Sequence, residues 1–283
     1  MQKASNNLIK ELKKQKRENC SLLFLDNIKI INDVIKQGLM PKLILVDSES
    51  KFVWDDSIEH YLVDHHVIEQ LADSKTPQGV VCLIEYIQDI VCKPKDNFLV
   101  LDTLQDPGNV GTLIRTATAC GFSDVFLLDS VKISNSKMIR SSVGTIFKIK
   151  VHSLSKQEFI SYFSDWHLPL LKADMNGENI FNTKFPKQIG IVLGNEGNGV
   201  SQEISALCNQ AISIPMQNDV ESLNVAVSGS IIMYQIIQKQ WYQPYIVLIV
   251  ITRKNKIIKL WNIVPKEKLI FLLKYIQSFD KTS

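Results

Sequence analysis

The chain carries short apolar runs separated by polar segments, a pattern that predicts alternating strands and helices. In its first part, Leu22–Leu25 and Leu43–Val46 are continuous apolar runs typical of buried strands. Residues 6–19 predict a basic helix, and Ile28–Gly38 a helix that ends at its glycine. The spacing of apolar residues in Val80–Val91 fits a helix or a strand, and the pattern does not separate the two.

The polar segment 93–97 separates this part from a regular α/β alternation, and we place a domain boundary there. A strand at Phe98–Leu101, a loop to Gly111, a helix at Thr112–Cys120 and a strand at Val125–Leu128 form one βαβ unit. Such a unit predicts a parallel sheet with a right-handed crossover. Further strands are predicted at Phe147–Val151, Leu168–Lys172, Ile189–Leu193 and Ala211–Ile214, and further helices at Lys156–Phe163, Ser201–Leu207 and Ser222–Gln240.

Residues 243–283 do not continue the alternation, because Pro244 ends the preceding helix. Tyr245–Ile251 fits a strand, and Lys266–Phe279 an amphipathic helix. This extension is interpreted either as an appended RNA-contacting piece or as a poorly ordered tail. The predicted domains are therefore 1–92, 97–242 and a basic extension at 243–283.

The net charge of +3 is unevenly distributed along the chain. Residues 1–20 sum to +4 and residues 243–283 to +6, which leaves −7 for the body between them. Basic ends on an acidic body favour a polyanionic partner such as RNA, although solvated terminal charges give the same pattern.

The composition is that of an ordinary globular protein, with 45% hydrophobic and 22% charged residues. The longest apolar run, Ile246–Ile251, is too short to span a bilayer, and the first residues carry no apolar signal segment. The odd number of cysteines, with no CxxC pair, indicates a reduced compartment, and no metal site is expected because the five histidines do not lie at ligand spacing from the cysteines. A cytoplasmic protein without a membrane anchor or a metal is expected.

The segment 102–111 follows a predicted strand and opens a helix, where parallel α/β sheets place ligands. Gly108 and Gly111 allow close backbone approach, and Asn109 can cap the helix or face a ligand. Arg115, about one turn past Gly111, can hold a phosphate or a ribose oxygen. The alternative is a well-capped turn followed by an ordinary surface arginine.

The glycine-rich segment Gly194–Gly199 follows a second buried strand but matches neither the dinucleotide fingerprint nor the P-loop. The carboxylate of Glu196 would repel a pyrophosphate, whereas it would tolerate a cofactor that carries a sulfonium cation. The alternative is a flexible turn with a solvated glutamate. Further along, Ile212–Met216 predicts a strand and Ser222 the N-cap of an apolar helix, which alternatively serves packing alone.

Taken in order, Asp106–Arg115, Gly194–Gly199 and Ser222–Asn224 resemble the three motifs of the SpoU (TrmH-like) RNA 2′-O-ribose methyltransferases of the SPOUT superfamily. The resemblance covers residues 97–242, and 1–92 more loosely. It implies S-adenosyl-L-methionine as cofactor, a parallel-sheet SPOUT domain with a C-terminal trefoil knot, and a homodimer.

The resemblance also assigns site residues. It implies a catalytic role for Asn109, Arg115, Glu196, Ser222 and Asn224, and cofactor binding by Leu193, Gly194, Ile214, Met216 and Leu223. Because a neutral arginine is costly, we expect Arg115 to orient the ribose and stabilise a developing alkoxide, not to remove the proton. In the family the motif glutamate often bonds toward this arginine.

Residues 1–92 resemble the L30e-like α/β domain that binds substrate in many SpoU proteins, although Asp26–Asn27 stands where that domain usually has Glu-Gly. The predicted RNA contacts are Lys13, Lys14, Lys16, Arg17, Arg115 and Arg140. The predicted function is methylation of large-subunit (23S-type) rRNA. The alternatives are a tRNA 2′-O-methyltransferase and an inactive RNA-binding protein of the same fold.

Overall fold

The computed structural model describes residues 2–18, 22–86, 90–218 and 220–241, together with 252–253 and 256–257. The chain forms two compact units, Met1–Gln235 and Ile236–Ser283. The strand predicted at 245–251 and the helix predicted at 266–279 lie outside the described residues.

The N-terminal part of the first unit contains a four-stranded mixed sheet with three helices. Its elements are α1 (Asn6–Glu18), β1 (Leu22–Leu25), α2 (Ile28–Lys36), β2 (Leu43–Val46), β3 (His60–Leu62), α3 (His65–Leu71) and β4 (Val80–Glu85). The strand order is β1-β4-β2-β3, with β4 antiparallel to both β1 and β2. Within the apolar segment Val80–Val91, whose pattern fits a helix or a strand, residues 80–85 form a strand, and burial of the first five accounts for their continuous apolar run.

A six-stranded parallel sheet follows in the same unit. Its elements are β5 (Phe98–Asp102), α4 (Pro107–Ala119), β6 (Asp124–Leu128), α5 (Ser136–Ser141), β7 (Lys150–Leu154), α6 (Lys156–Ser164), β8 (Leu170–Asn179), β9 (Gly190–Gly194), α7 (Gln202–Ser205), β10 (Gln210–Ser213) and α8 (Val225–Trp241). The strand order is β10-β8-β9-β5-β6-β7, with every pair parallel. The predicted α/β class with a parallel sheet is confirmed.

Aromatic side chains fill the core on one face of the parallel sheet. Phe98 and Phe126 meet edge to face, with ring centroids 5.9 Å apart, and Trp166 packs against both. All three side chains are buried. Such burial stabilises the sheet and fixes the strand ends that carry the polar loops.

Two helices begin three or more positions away from the residues predicted. Helix α4 begins at Pro107 and not at Thr112, because Asp106 Oδ1 accepts from the Asn109 backbone N–H at 2.9 Å and proline fits the first turn. Helix α8 begins at Val225 and not at Ser222, because Asn224 Oδ1 accepts from the backbone N–H of Ala226 at 2.9 Å.

The strand predicted at Phe147–Val151 is also displaced. A 3-10 turn occupies Thr145–Phe147, and β7 begins at Lys150. In the second unit, the described residues include a short antiparallel pair of β11 (Thr252–Arg253) and β12 (Lys256–Ile257).

Candidate active site

Two polar loops leave neighbouring strands at the carboxyl edge of the parallel sheet. Asp102, at the end of β5, pairs in register with Gly194 at the end of β9. The Asp102 side chain is buried; its Oδ2 accepts from the backbone N–H of Ser201 at 2.6 Å, and its Oδ1 accepts from Thr103 Oγ1 at 2.9 Å. This carboxylate ties the end of the glycine-rich loop to the central strand.

The glycine-rich loop folds back on itself directly after β9. The backbones of Asn195 and Gly199 exchange two hydrogen bonds of 3.1 and 2.8 Å, and Asn195 Oδ1 accepts from the Gly197 N–H at 2.9 Å. A Cβ on Gly194 would collide with the backbone of Gly199. The narrow loop therefore requires glycine at position 194.

A chain of side-chain hydrogen bonds joins the three predicted motifs. Asn109 Nδ2 donates to Glu196 Oε1 at 2.7 Å, and Asn224 Nδ2 donates to Asn109 Oδ1 at 3.1 Å. We call Asn224, Asn109 and Glu196 the amide–carboxylate chain. Its members come from the start of α4, the loop after β9 and the cap of α8, so three distant segments of sequence meet at one point.

A cleft of about 420 Å³ opens beside this chain, between the ends of β8, β9 and β10 and the start of α8. All five residues predicted to bind the cofactor line it: Leu193, Gly194, Ile214, Met216 and Leu223. Two of the predicted catalytic residues, Glu196 and Ser222, line it as well.

The cleft is acidic. Asp174, Glu196 and Glu221 line it, and no lysine, arginine or histidine does so among the residues described. A hydrogen bond from the Asn176 backbone N–H, supported by Lys172 Nζ at 3.3 Å, holds the pKa of Asp174 below its ordinary value. The cleft therefore suits a ligand that carries positive charge and disfavours phosphates.

Sequence reasoning missed the contribution of β8, whose residues 173–175 line the cleft. The prediction ended this strand at Lys172, because most of the residues from 174 to 179 are polar and Gly177 lies among them. Pairing of residues 178 and 179 with β10 extends the strand to Asn179. No apolar pattern marks this extension.

Arg115 does not line the cleft. It is exposed on α4, eight residues after the helix start, and its side chain has no hydrogen bond or ion pair to the described residues. It lies six positions after Asn109, which corresponds to about 9 Å along the helix and a third of a turn around it. Glu196 accepts from Asn109 instead of from this arginine.

The predicted RNA contacts differ in their availability. Lys13 and Arg17 lie on α1, and Lys14 forms only a long exposed pair with Glu18 at 3.7 Å. Lys16 is engaged inside the fold, where its Nζ donates to the carbonyls of Leu71 and Ala72 and lies 2.9 Å from Asp73.

Arg140, on α5, lies 3.9 Å from the buried carboxylate of Asp26. That carboxylate already accepts from the backbone N–H groups of Asp73 and Ser74. Arg140 therefore faces the N-terminal sheet and is not fully free for RNA.

Within the described part of the chain, no group of three or more His, Cys, Asp or Glu side chains is arranged to hold a metal ion. Over the same residues, none of the helices is both long enough and apolar enough to cross a membrane.

Comparisons with known proteins agree with this architecture. The SpoU rRNA Methylase family model matches residues 96–234. An uncharacterized tRNA/rRNA methyltransferase from Synechocystis sp. is 32% identical over 190 residues, covering 65% of this chain and 69% of that protein. The 23S rRNA (guanosine(2553)-2′-O)-methyltransferase RlmP of Bacillus subtilis is 27% identical over 83% of this chain and 98% of its own length.

Solved structures share the fold. The SpoU methyltransferase AviRb from Streptomyces viridochromogenes, in complex with AdoMet, is similar at a TM-score of 0.74 over 83% of this chain and 98% of that one, with 20% identity. An AdoMet-bound rRNA methyltransferase from Sinorhizobium meliloti gives a TM-score of 0.72 over 84% and 97%, also with 20% identity.

Proposed function

The chain belongs to the SpoU rRNA methylase family, and we propose that it transfers a methyl group from S-adenosylmethionine to a ribose 2′-hydroxyl of large-subunit rRNA. The amide–carboxylate chain carries this proposal, because it joins all three motifs beside the acidic cleft. A protein that kept the fold for RNA binding alone would have no need for this convergence.

The cleft fits the cofactor in size and charge. S-adenosylmethionine supplies an electrophilic methyl group on a sulfonium sulfur. Its positive charge suits a lining that carries three carboxylates and, among the described residues, no cation. Gly194, Ile214 and Leu223 line the cleft, and their backbone groups would hold the adenosine part.

The chain's own residues would place the ribose and stabilise charge. Asn109 and Asn224 are held by each other and by Glu196, so their amides are pre-oriented and need no rearrangement on binding. Ser222 adds a hydroxyl to the cleft wall. Arg115, permanently charged, would stabilise the developing alkoxide, and a phosphate or solvent would take the proton.

We propose that the protein acts as a homodimer, and the position of Arg115 outside the cleft supports this. Val227 and Tyr234, seven positions apart and therefore on one face of α8, are 48% and 58% exposed. Thr116 of α4 bonds to Ser230 of α8 at 3.1 Å, so Arg115 and this apolar face lie on joined helices. Pairing of two copies through them would bring Arg115 close to a second site.

We propose that the C-terminal part of this domain forms the trefoil knot of the family. The support is that β10 lies at the far edge of the sheet, whereas α8 packs back against the centre. Gly229 of α8 has Leu113 of α4 and Leu193 of β9 in direct contact with its Cα face. The chain between β10 and α8 therefore has to return across the ends of β8 and β9.

We propose that residues 1–92 form an L30e-like domain that binds the RNA substrate and that residues 97–242 carry out the methyl transfer. Both domains would act in the cytoplasm. The N-terminal sheet with its basic α1 supports the first assignment. The choice of rRNA over tRNA rests on the Bacillus relative, whose whole length is matched.

The test uses purified protein, tritiated S-adenosylmethionine, and separate large-subunit rRNA and tRNA pools. We expect acid-insoluble label in the rRNA pool with the natural chain and none with Arg115→Ala, whose S-adenosylmethionine affinity stays close to that of the natural chain. Label in tRNA alone would correct the substrate class. Unchanged transfer by Arg115→Ala would overturn the role given to this arginine.

A further inference from the structure

A segment between β6 and β7 carries positive charge that the proposed chemistry does not use. Residues 129–150 contain five basic residues and one acidic residue, Asp129, although residues 21–242 sum to −7. The five are Lys132, Lys137, Arg140, Lys148 and Lys150. Positive charge is thus concentrated on one segment of an otherwise acidic body.

The topology divides these cations between two edges of the sheet. The segment leaves the carboxyl end of β6 at Leu128 and returns to the amino end of β7 at Lys150. Since ligands bind at the carboxyl edge, Lys148 and Lys150 lie at the edge away from the site. Lys132 and Lys137 lie in the part that follows the carboxyl end.

Direct contacts place Lys132 and Lys137 beside the first motif. The backbone N–H of Val131 donates to the carbonyl of Leu104 at 2.9 Å, so Lys132 adjoins the loop between β5 and α4. Lys137 Nζ lies 3.3 Å from Asp106 Oδ2. Asp106 caps α4 through the N–H of Asn109, the central member of the amide–carboxylate chain.

Both lysines remain available to a phosphate. The side chains of Lys137 and Asp106 are 58% and 48% exposed, so their ion pair is weak in water. An ammonium group has three donors, and Lys137 can keep Asp106 while it binds a second anion. Lys132 is exposed and has no ion pair among the described residues.

Acidic side chains around the site make nearby cations necessary for RNA binding. Asp106 and Glu196 stand at the mouth of the site, and the cleft beside them is acidic. RNA must bring its phosphates to this mouth to present a 2′-hydroxyl. Without a nearby cation, these carboxylates would repel the nucleotides that flank the target.

We propose that Lys137, together with Lys132, forms a phosphate-binding edge that holds the RNA backbone next to the target ribose. The inference rests on the proposed RNA methyltransferase function and adds where the backbone of the substrate lies. Both are positioning residues that supply affinity and not sequence choice.

The experiment measures binding of an in vitro large-subunit rRNA transcript over a series of KCl concentrations. Each phosphate contact contributes about 0.7 to 0.9 to the slope of log affinity against log salt. We expect Lys137→Ala to lower the slope by about this amount and to weaken binding about two- to fivefold, the strength of an exposed ion pair. Lys137→Arg, which keeps the charge, should retain the natural slope.

Lys150→Ala is the matched control, since it removes the same charge from an exposed lysine at the opposite edge. It should leave the slope unchanged, and all three variants should keep the natural affinity for S-adenosylmethionine. An unchanged slope in Lys137→Ala, or an equal loss in Lys150→Ala, would overturn the phosphate-binding edge. Failure of the natural chain to methylate any RNA would instead overturn the proposed function, which the slopes do not address.

Discussion

At the scale of single residues, Asn109 makes the contact that joins the site together. Its Nδ2 donates to Glu196 and its Oδ1 accepts from Asn224, so the two functions lie on separate atoms of one amide. A serine hydroxyl would have to serve both partners through a single oxygen, and an ionised aspartate could not donate. The identity of this residue is therefore determined by its two neighbours.

Substitution Asn109→Asp keeps the shape but replaces the donor with a carboxylate facing Glu196. We expect the rate of methyl transfer to fall about 100-fold, because a small displacement of the reacting groups from their aligned positions lowers the rate by about that factor. Affinity for S-adenosylmethionine, measured by calorimetry, should change less than about twofold, since Asn109 does not line the cleft.

The matched control is Asn182→Asp, the same change on an exposed residue after the end of β8. It should transfer methyl groups at the natural rate. A fully active Asn109→Asp variant would show that the amide–carboxylate chain is not needed for chemistry.

At the scale of elements, Gly194 and Gly197 of the glycine-rich loop differ in whether they would accept a side chain. Gly194→Ala would push a Cβ into the backbone of Gly199, whereas a Cβ on Gly197 meets only the Asn195 side chain, at 3.4 Å. We expect Gly194→Ala to lower the free energy of unfolding by about 1 to 3 kcal/mol and to abolish cofactor binding. Gly197→Ala should change both by little.

Thermal denaturation and calorimetry of the two alanine variants would check this difference. Equal tolerance of alanine at both positions would mean that the loop adopts another shape.

The stability of the protein should depend on pH through Asp106, the N-cap residue of helix α4. The Asn109 backbone N–H, with help from Lys137, holds the pKa of Asp106 below its ordinary value. Because the folded-state pKa lies below the unfolded-state pKa of about 3.9, the ionised carboxylate stabilises the folded protein fully above that pH. This stabilisation is lost as the pH falls through the folded-state pKa.

Asp106→Ala should therefore cost about 1 kcal/mol near neutral pH, the usual value of a cap. The difference from the natural chain should shrink below about pH 4. Urea unfolding at several pH values measures it, with Asp165→Ala at the end of α6 as a control. A cost that does not depend on pH would rule out the charged form of Asp106 as the source.

The sequence patterns did not predict the first residues of α4 and α8. The sequence pattern predicts a loop up to Gly111 and a helix from Thr112, although Asp106 followed by proline is also a helix-start signal. Ser222 precedes an apolar run as a cap would, but Asn224 makes the hydrogen bonds. The strands with continuous apolar runs were found because burial on both faces requires such runs.

At the scale of the whole molecule, neighbouring strands in space are not neighbours in sequence. Local patterns gave the class, but the order β10-β8-β9-β5-β6-β7 arises from packing between distant segments. Likewise, the place of each motif at the site followed from the family resemblance and not from composition. The hydrogen bonds of Asn109 and the wall contributed by β8 emerged only in three dimensions.

The proposed dimer leads to a prediction about α8. Val227→Asp places a charge on the exposed apolar face of this helix and should shift the protein to monomers, because burying an unpaired carboxylate is costly. Val53→Asp makes the same change at a valine that is 85% exposed and should leave the assembly intact. Sedimentation velocity measures both, and a natural chain that sediments as a monomer would contradict the dimer.

Ribose methylation is the central claim, and the position of the methyl group tests it most directly. A 2′-O-methyl group removes the hydroxyl that alkali needs to cleave the adjacent phosphodiester. After transfer from tritiated S-adenosylmethionine to large-subunit rRNA, complete alkaline hydrolysis should leave the label in resistant dinucleotides. Label released entirely as mononucleotides would place the methyl group on a base and contradict the proposed reaction.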